Sequence, residues 1–214
     1  MTDDDELLDA ALGQLLEFGV ARTTTDDIAR AAGVNRTTLY RRLGSKDDIV
    51  AAVILREVGA IAGAIRDHAS SVDGYEERIV EGFVYAVTSV RENKLLRRAL
   101  AVDRDAVLPA ITVDGGPGLT MALQVMQEVH RETQQAYGIP HADTDDTKTA
   151  ILARLIHSLV LMPDAPPVLR TPEELRAFAA VHVVPLAGPS PRPAQPATRR
   201  RRGLPGNGLR RGRR

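Results

Sequence analysis

AAGVNRTTLYRRLGSK, residues 31–46, holds Arg36, Arg41, Arg42 and Lys46 and not one carboxylate. The chain around it is acidic: Asp3, Asp4, Asp5 and Glu6 stand near its start, and Asp47 and Asp48 follow the window at once. Asn35 can cap a helix of about eight residues through Leu43, because its side-chain oxygen accepts an orphan amide, and Gly44 then breaks the helix. With Leu39 at zero and 100° added per residue, Leu43 falls on the same side, while Thr37, Thr38 and Arg41 face away and Tyr40 sits on the flank. Arg36 lies in the first turn. The outward face thus carries guanidinium, hydroxyl, methyl and phenol groups, which reach guanine edges, thymine methyls and phosphates. A carboxylate there would repel phosphate, which accounts for the gap in the acids. Lys46 opens the next helix, where its charge adds to free backbone amides as a phosphate clamp.

Upstream, Leu8, Leu12, Leu15 and Leu16 mark a helix from about Asp4 to Phe18, with acids at the positive end of its dipole and Gly19 as its stop. Thr24 or Thr25 can cap a second helix through about Ala32, which Gly33 ends. Two short helices joined by a tight glycine turn, the second bearing exposed bases, form a helix-turn-helix pattern. Downstream, Ser45 and Asp48 resemble a capping box ahead of a long helix marked by Val50, Val53, Ile54, Val58, Ile61 and Ile65. Stripes follow at Ile79, Phe83, Val87 and Val90, then around Leu95, Leu96 and Leu100, with a break expected at Pro109. A turn is expected at DGGPG, residues 114–118, before a helix carrying Ala122, Val125, Met126 and Val129.

A helix from about Thr147 to Leu161 has apolar residues over about 180° of its circumference, against the roughly 100° that faces a single core, so it is expected to pack on two partners. Thr171, Pro172 and Glu174 supply cap, first-position proline and capping-box acid for a last helix through about Val183. No sustained alternation of the kind a strand shows is found. The expected fold is all-α, with an N-terminal three-helix helix-turn-helix domain over 1–46 and a helical ligand-binding and dimerisation domain over 47–187. From 188 to 214 the composition turns to proline, glycine and arginine, which reads as a disordered tail.

The 214 residues balance 28 basic against 28 acidic side chains, but the balance is uneven. Nine arginines lie from Arg192 onward, so the first 187 residues set 19 bases against 28 acids and carry −9, while the tail carries +9. Local charge attracts a polyanion even where the total does not. Arginine blocks bind any polyanion, so the tail suits DNA, RNA or an acidic partner. The longest uncharged stretch, 177–191, holds His182 and three prolines and falls short of the roughly 18 apolar residues of a membrane span. With no basic-then-apolar leader and no cysteine, a cytoplasmic protein without disulfides is expected, with no membrane partner.

The segment TTTDDIARAAGVNRTTLYRRLGSKDDIV, residues 23–50, resembles the DNA-binding signature of the tetracycline-repressor (TetR) family: threonine, an Ile-Ala pair, Ala-Gly-Val, a capped short helix with Thr-Leu-Tyr, and a Ser-Lys helix start. The likeness covers about residues 5 to 55. It implies contacts to double-stranded DNA from Thr25, Arg36, Thr37, Thr38, Tyr40, Arg41, Arg42 and Lys46. Four acids stand where many members carry a basic arm, and Arg42 and Leu43 occupy positions where an aromatic pair is common.

The resemblance further implies a homodimer, built on the helix from Thr147 and the last helix, and a small-molecule effector pocket in the middle helices. Phe83, Tyr85, Met121, Val125, Met126 and His130 are its candidate lining. On this reading the protein is a ligand-released transcriptional repressor, with no catalytic residues, metal or cofactor. The alternative is a helical enzyme or metal-binding protein whose helix-turn-helix serves protein contacts. His141, Asp143, Asp145 and Asp146 are then the metal candidates, although loop acids ahead of a helix commonly serve as caps and dipole partners. No G-x-S-x-G, H-E-x-x-H or Walker loop is present.

Overall fold

A computed structural model describes residues 3–113 and 116–188. All regular structure within them is helical: α1 (Asp3–Phe18), α2 (Thr25–Ala31), α3 (Arg36–Leu43), α4 (Lys46–Ser70), α5 (Tyr75–Glu92), α6 (Lys94–Val102), α7 (Arg104–Ile111), α8 (Gly116–Ala136), α9 (Asp145–Leu161), α10 (Pro172–Phe178), a π-helical turn (Ala179–Val183) and α11 (Val184–Ala187). The expected tail, 189–214, and Asp114 and Gly115 of the expected turn lie outside the described residues.

Local chemistry sets the N-terminal boundaries. Gly19 ends α1 at φ +85°, and Thr24, not Thr25, caps α2, its hydroxyl accepting from the Asp27 amide while Asp27 reaches back to the Thr24 amide. The Asn35 side chain accepts from the Thr38 amide at 2.7 Å, and Ser45 and Asp48 close a second capping box at the head of α4. These helices enclose one core of Leu7, Ala11, Leu15, Ile28, Leu39, Ile49 and Val53, completed by Leu95 of α6. Ile49 and Val53 carry this core across the boundary expected after Lys46, so α4 belongs to both halves of the molecule. At 25 residues it is about 37 Å long.

A second core gathers Phe83, Val84 and Val87 of α5, Leu152, Ile156 and Leu159 of α9, and Leu175, Ala179, Val183 and Ala187 of the C-terminal helices. Ion pairs brace the helices around it: Arg66 of α4 bridges to Glu128 and Glu132 of α8, and Arg176 of α10 to Glu81 of α5. Deeper in, Arg91 donates to the Leu159 and Leu169 carbonyls and so ties α5 to both ends of the connection between α9 and α10.

Three boundaries differ from expectation. The break after α6 comes at Asp103, where the carboxylate leaves the helix to accept from the Val20 amide at 2.6 Å, and Pro109 sits inside α7. A proline there removes only one hydrogen bond, close to an end that already frays. The expected DGGPG turn is already helical from Gly116, since a proline in a first turn gives up an amide that has no partner anyway. The last helix runs past Val183 to Ala187 through the π turn, which widens the coil ahead of Pro185. In a regular α-helix that ring would clash with the Val181 carbonyl.

Asp145, without exposed surface at the head of α9, holds the second half's polar core. Burial alone would raise its pKa, but the Ala142 amide, the Lys148 ammonium and the Gln134 amide together hold it at about 2. A carboxylate depressed from 3.8 stabilises the fold at neutral pH and loses that contribution as pH falls through its folded value. Asp145→Asn should therefore be less stable than the wild type by a constant margin above about pH 5, a margin that narrows between about pH 4 and pH 2 in urea titrations. A margin independent of pH down to 2 would contradict this account.

Candidate nucleic-acid interface

An eight-residue helix is too short to persist alone, so its neighbours fix α3 in place. Leu39, with no exposed surface, pins it to α1, α2 and α4, and Leu43 packs at the edge of the same core. The 100° step then sets the rest: Thr37, Tyr40 and Arg41 are exposed, Tyr40 at 65%, while Thr38 is half-buried. Thr25 opens α2 and is also half-buried. Thr37, Tyr40 and Arg41 thus share the outer surface of the helix.

The window that lacks acids in sequence does not lack them in space. Arg36 approaches Asp26 of α2 at 3.5 Å, and Arg42 pairs with Asp4 at 2.6 Å and Asp3 at 3.1 Å. The acids at the start of α1 thus take up Arg42, one of the candidate contacts. Arg41 and Lys46 make no ion pair among the described residues; Lys46 donates to the Ala21 carbonyl at 3.3 Å, which leaves its charge uncompensated. Neither the Arg42 pairs nor that of Arg36 is visible in the local pattern, since their acids lie on other helices.

Of the candidate pocket residues, Phe83, Val125, Met126 and His130 line one cavity of about 100 Å³ among α4, α5, α8, α9 and the π turn. Tyr85 and Met121 do not line it. Tyr85 turns to the other side of α5 and stacks on His68 of α4, ring centroids 4.6 Å apart. Sequence reasoning missed Ile65, Leu152 and Ile156, which line it from helices read only as core. Beside the cavity, the metal candidates resolve differently: Asp145 is enclosed by its hydrogen bonds, and no group of three or more histidines and carboxylates placed to hold a metal occurs among the described residues. His157 bonds the Ile111 carbonyl at 2.7 Å, tying α9 to the end of α7.

Two further features join the halves and the surface. Asp103 reaches across to Val20 where only glycine fits beside it: a Cβ on Gly19 would lie 2.6 Å from the Asp103 carboxylate. On α9, Leu152, Ile156 and Leu159 face the molecule's own core, while Ile151 is 49% exposed and Met162, just past the end of the helix, is 54% exposed. Val181 of the π turn is also exposed. No helix of the described residues is long and apolar enough to cross a membrane.

Residues 7–53 match the family model described as bacterial regulatory proteins, tetR family. The chain is 28% identical to the HTH-type transcriptional regulator AlkX of Mycobacterium tuberculosis over 73% of this chain and 72% of that one. Among solved structures, it resembles the TetR family repressor AlkX from a Dietzia strain, implicated in biodegradation of n-alkanes, with a TM-score of 0.60 and 26% identity over 86% of this chain and 96% of that one. The transcriptional repressor QsdR of R. erythropolis shares the fold, with a TM-score of 0.60 at 19% identity over 87% of this chain and 95% of that one.

Replacing both acids that hold Arg42, in the double variant Asp3→Asn and Asp4→Asn, should raise affinity for a DNA duplex about fivefold at low ionic strength, with the gain shrinking as salt screens the charges. Fluorescence anisotropy measures it. Unchanged affinity at every salt concentration would show that these acids do not compete with phosphate.

Proposed function

Because residues 7–53 match the tetR family model and the chain resembles the AlkX regulators over most of its length, we propose that it is a transcriptional repressor of that family that binds a palindromic operator as a homodimer and is released by a small apolar effector. The observation that carries the DNA-binding part is the outer face of α3, where Thr37, Tyr40 and Arg41 are exposed around a fully buried Leu39. A helix of this kind enters the major groove and reads few base pairs, so two copies on half-sites about 34–36 Å apart supply the remaining specificity. The outward apolar residues Ile151, Met162 and Val181 support a partner chain docked along α9 and the π turn.

The largely apolar cavity supports the effector, and the Dietzia repressor's link to n-alkane breakdown favours an aliphatic one. Release requires the ligand to prefer a second arrangement of the two halves, typically by about 1–3 kcal/mol of coupling. Two connections are placed to carry such a change. Helix α4 runs from the edge of α3 to the cavity wall at Ile65, and the Asp103 carboxylate holds α6 to the end of α1.

With six to ten phosphate contacts per dimer, operator affinity should fall about 10³- to 10⁵-fold between 50 and 200 mM salt. Arg41→Ala should weaken binding to the operator about tenfold or more, and more than binding to random duplex, if the guanidinium reads a base. Anisotropy titrations of both proteins on both duplexes supply the comparison. A flat salt response, or an Arg41→Ala protein that binds as the wild type does, would overturn this reading.

A further inference from the structure

The cavity's polar side chains are few, and all but one already make a hydrogen bond. Thr133 and Thr149 each turn the hydroxyl onto a carbonyl of their own helix, Val129 and Asp145, at 2.9 Å. Arg78, the one charged residue of the lining, donates to the Val72 and Ser70 carbonyls and lies over the Tyr137 ring. Behind the wall, Lys148 is held by Asp145 and the Gly188 carbonyl. The exception is His130, whose Nε2 is buried without a hydrogen-bond partner.

We propose that the cavity takes an uncharged aliphatic molecule bearing one hydrogen-bonding oxygen, an alcohol or a carbonyl compound, with that oxygen on His130 Nε2 and the hydrocarbon against Ile65, Phe83, Met126 and Ile156. This rests on the reading of the cavity as the effector site and adds the chemistry of its head group. A buried imidazole nitrogen without a partner forfeits free energy that a ligand oxygen restores. A lone water is a poor substitute, since it needs two to four polar partners and the threonine hydroxyls have already committed their protons to carbonyls of their own helices.

A carboxylate head is disfavoured. The guanidinium of Arg78 is aimed at the carbonyls of Ser70 at the end of α4 and Val72 in the turn that follows, and burial lowers the pKa of His130, so its imidazole is neutral at pH 7 and offers no countercharge. A neutral imidazole nitrogen donates or accepts according to its tautomer, and a hydroxyl serves either. A plain alkane fits the walls but leaves the nitrogen unpaired.

The test is isothermal titration of the full chain with hexane, 1-hexanol and hexanoate at neutral pH. 1-Hexanol should bind roughly three- to tenfold tighter than hexane, the worth of one hydrogen bond, and hexanoate should bind more weakly than 1-hexanol. His130→Leu should bring the ratio of 1-hexanol to hexane affinity to about one, and His130→Gln, which keeps a hydrogen-bonding group, should restore part of it. Hexanoate binding tightest, or an alcohol preference that survives in His130→Leu, would overturn the proposal while leaving the cavity as the effector site. If Val125→Trp, which fills the cavity, leaves binding of all three probes unchanged, the effector-site reading itself fails and this proposal with it.

Discussion

Everything the surface of α3 offers depends on the burial of one leucine. Leu39 sits at zero exposure among Leu7, Leu15, Ile28, Ile49 and Val53, and that contact fixes the rotation of a helix too short to hold itself. The Asn35 cap and the Gly44 break fix its length, and the 3.6-residue period then decides that Thr37, Tyr40 and Arg41 point outward. Charge comes second. The acids kept out of residues 31–46 return from α1 and α2 to pair with Arg42 and Arg36, so of the four basic residues in that window Arg41 and Lys46 are the two without an ion pair among the described residues.

The same core ties that surface to the rest of the chain. Ile49 and Val53 belong to α4, and Leu95 belongs to α6, so the N-terminal unit is closed by helices that also wall or border the C-terminal half. Asp103 adds a polar tie, accepting from Val20 where Gly19 leaves room for the carboxylate. Packed helices shift between discrete arrangements rather than deforming smoothly, and the proposed release of DNA by a ligand in a small cavity far from α3 relies on that property. The AlkX proteins of Mycobacterium tuberculosis and Dietzia, which the chain resembles over most of its length, are named as a transcriptional regulator and a repressor, and the regulator reading stands with them.

What was legible in the sequence is local. The caps at Asn35, Ser45 and Thr171 and the stops at Gly19 and Gly44 act within a few residues, and the structure places them where the side-chain chemistry says. The wheel around Leu39 was equally readable, because one buried residue suffices to orient a helix. Long-range partners were not. The bond between Asp103 and Val20 spans 83 residues, and it, not Pro109, breaks the chain between α6 and α7. The ion pairs of Arg42 join residues 38 and 39 apart. For the cavity, helical spacing identified α5 and α8 as apolar, but a helix with several neighbours has several buried faces. Periodicity alone could not tell that Phe83 turns inward while Tyr85 turns to His68.

The central claim, that two copies of this exposed helix face read DNA in adjacent turns of the major groove, is tested most directly by selecting bound duplexes from a random pool with the purified full chain. An enriched inverted repeat, with half-site centres about one helical turn or a whole multiple apart, is the expected result. Recovery of no motif at all, or of a single unrepeated half-site, would contradict it.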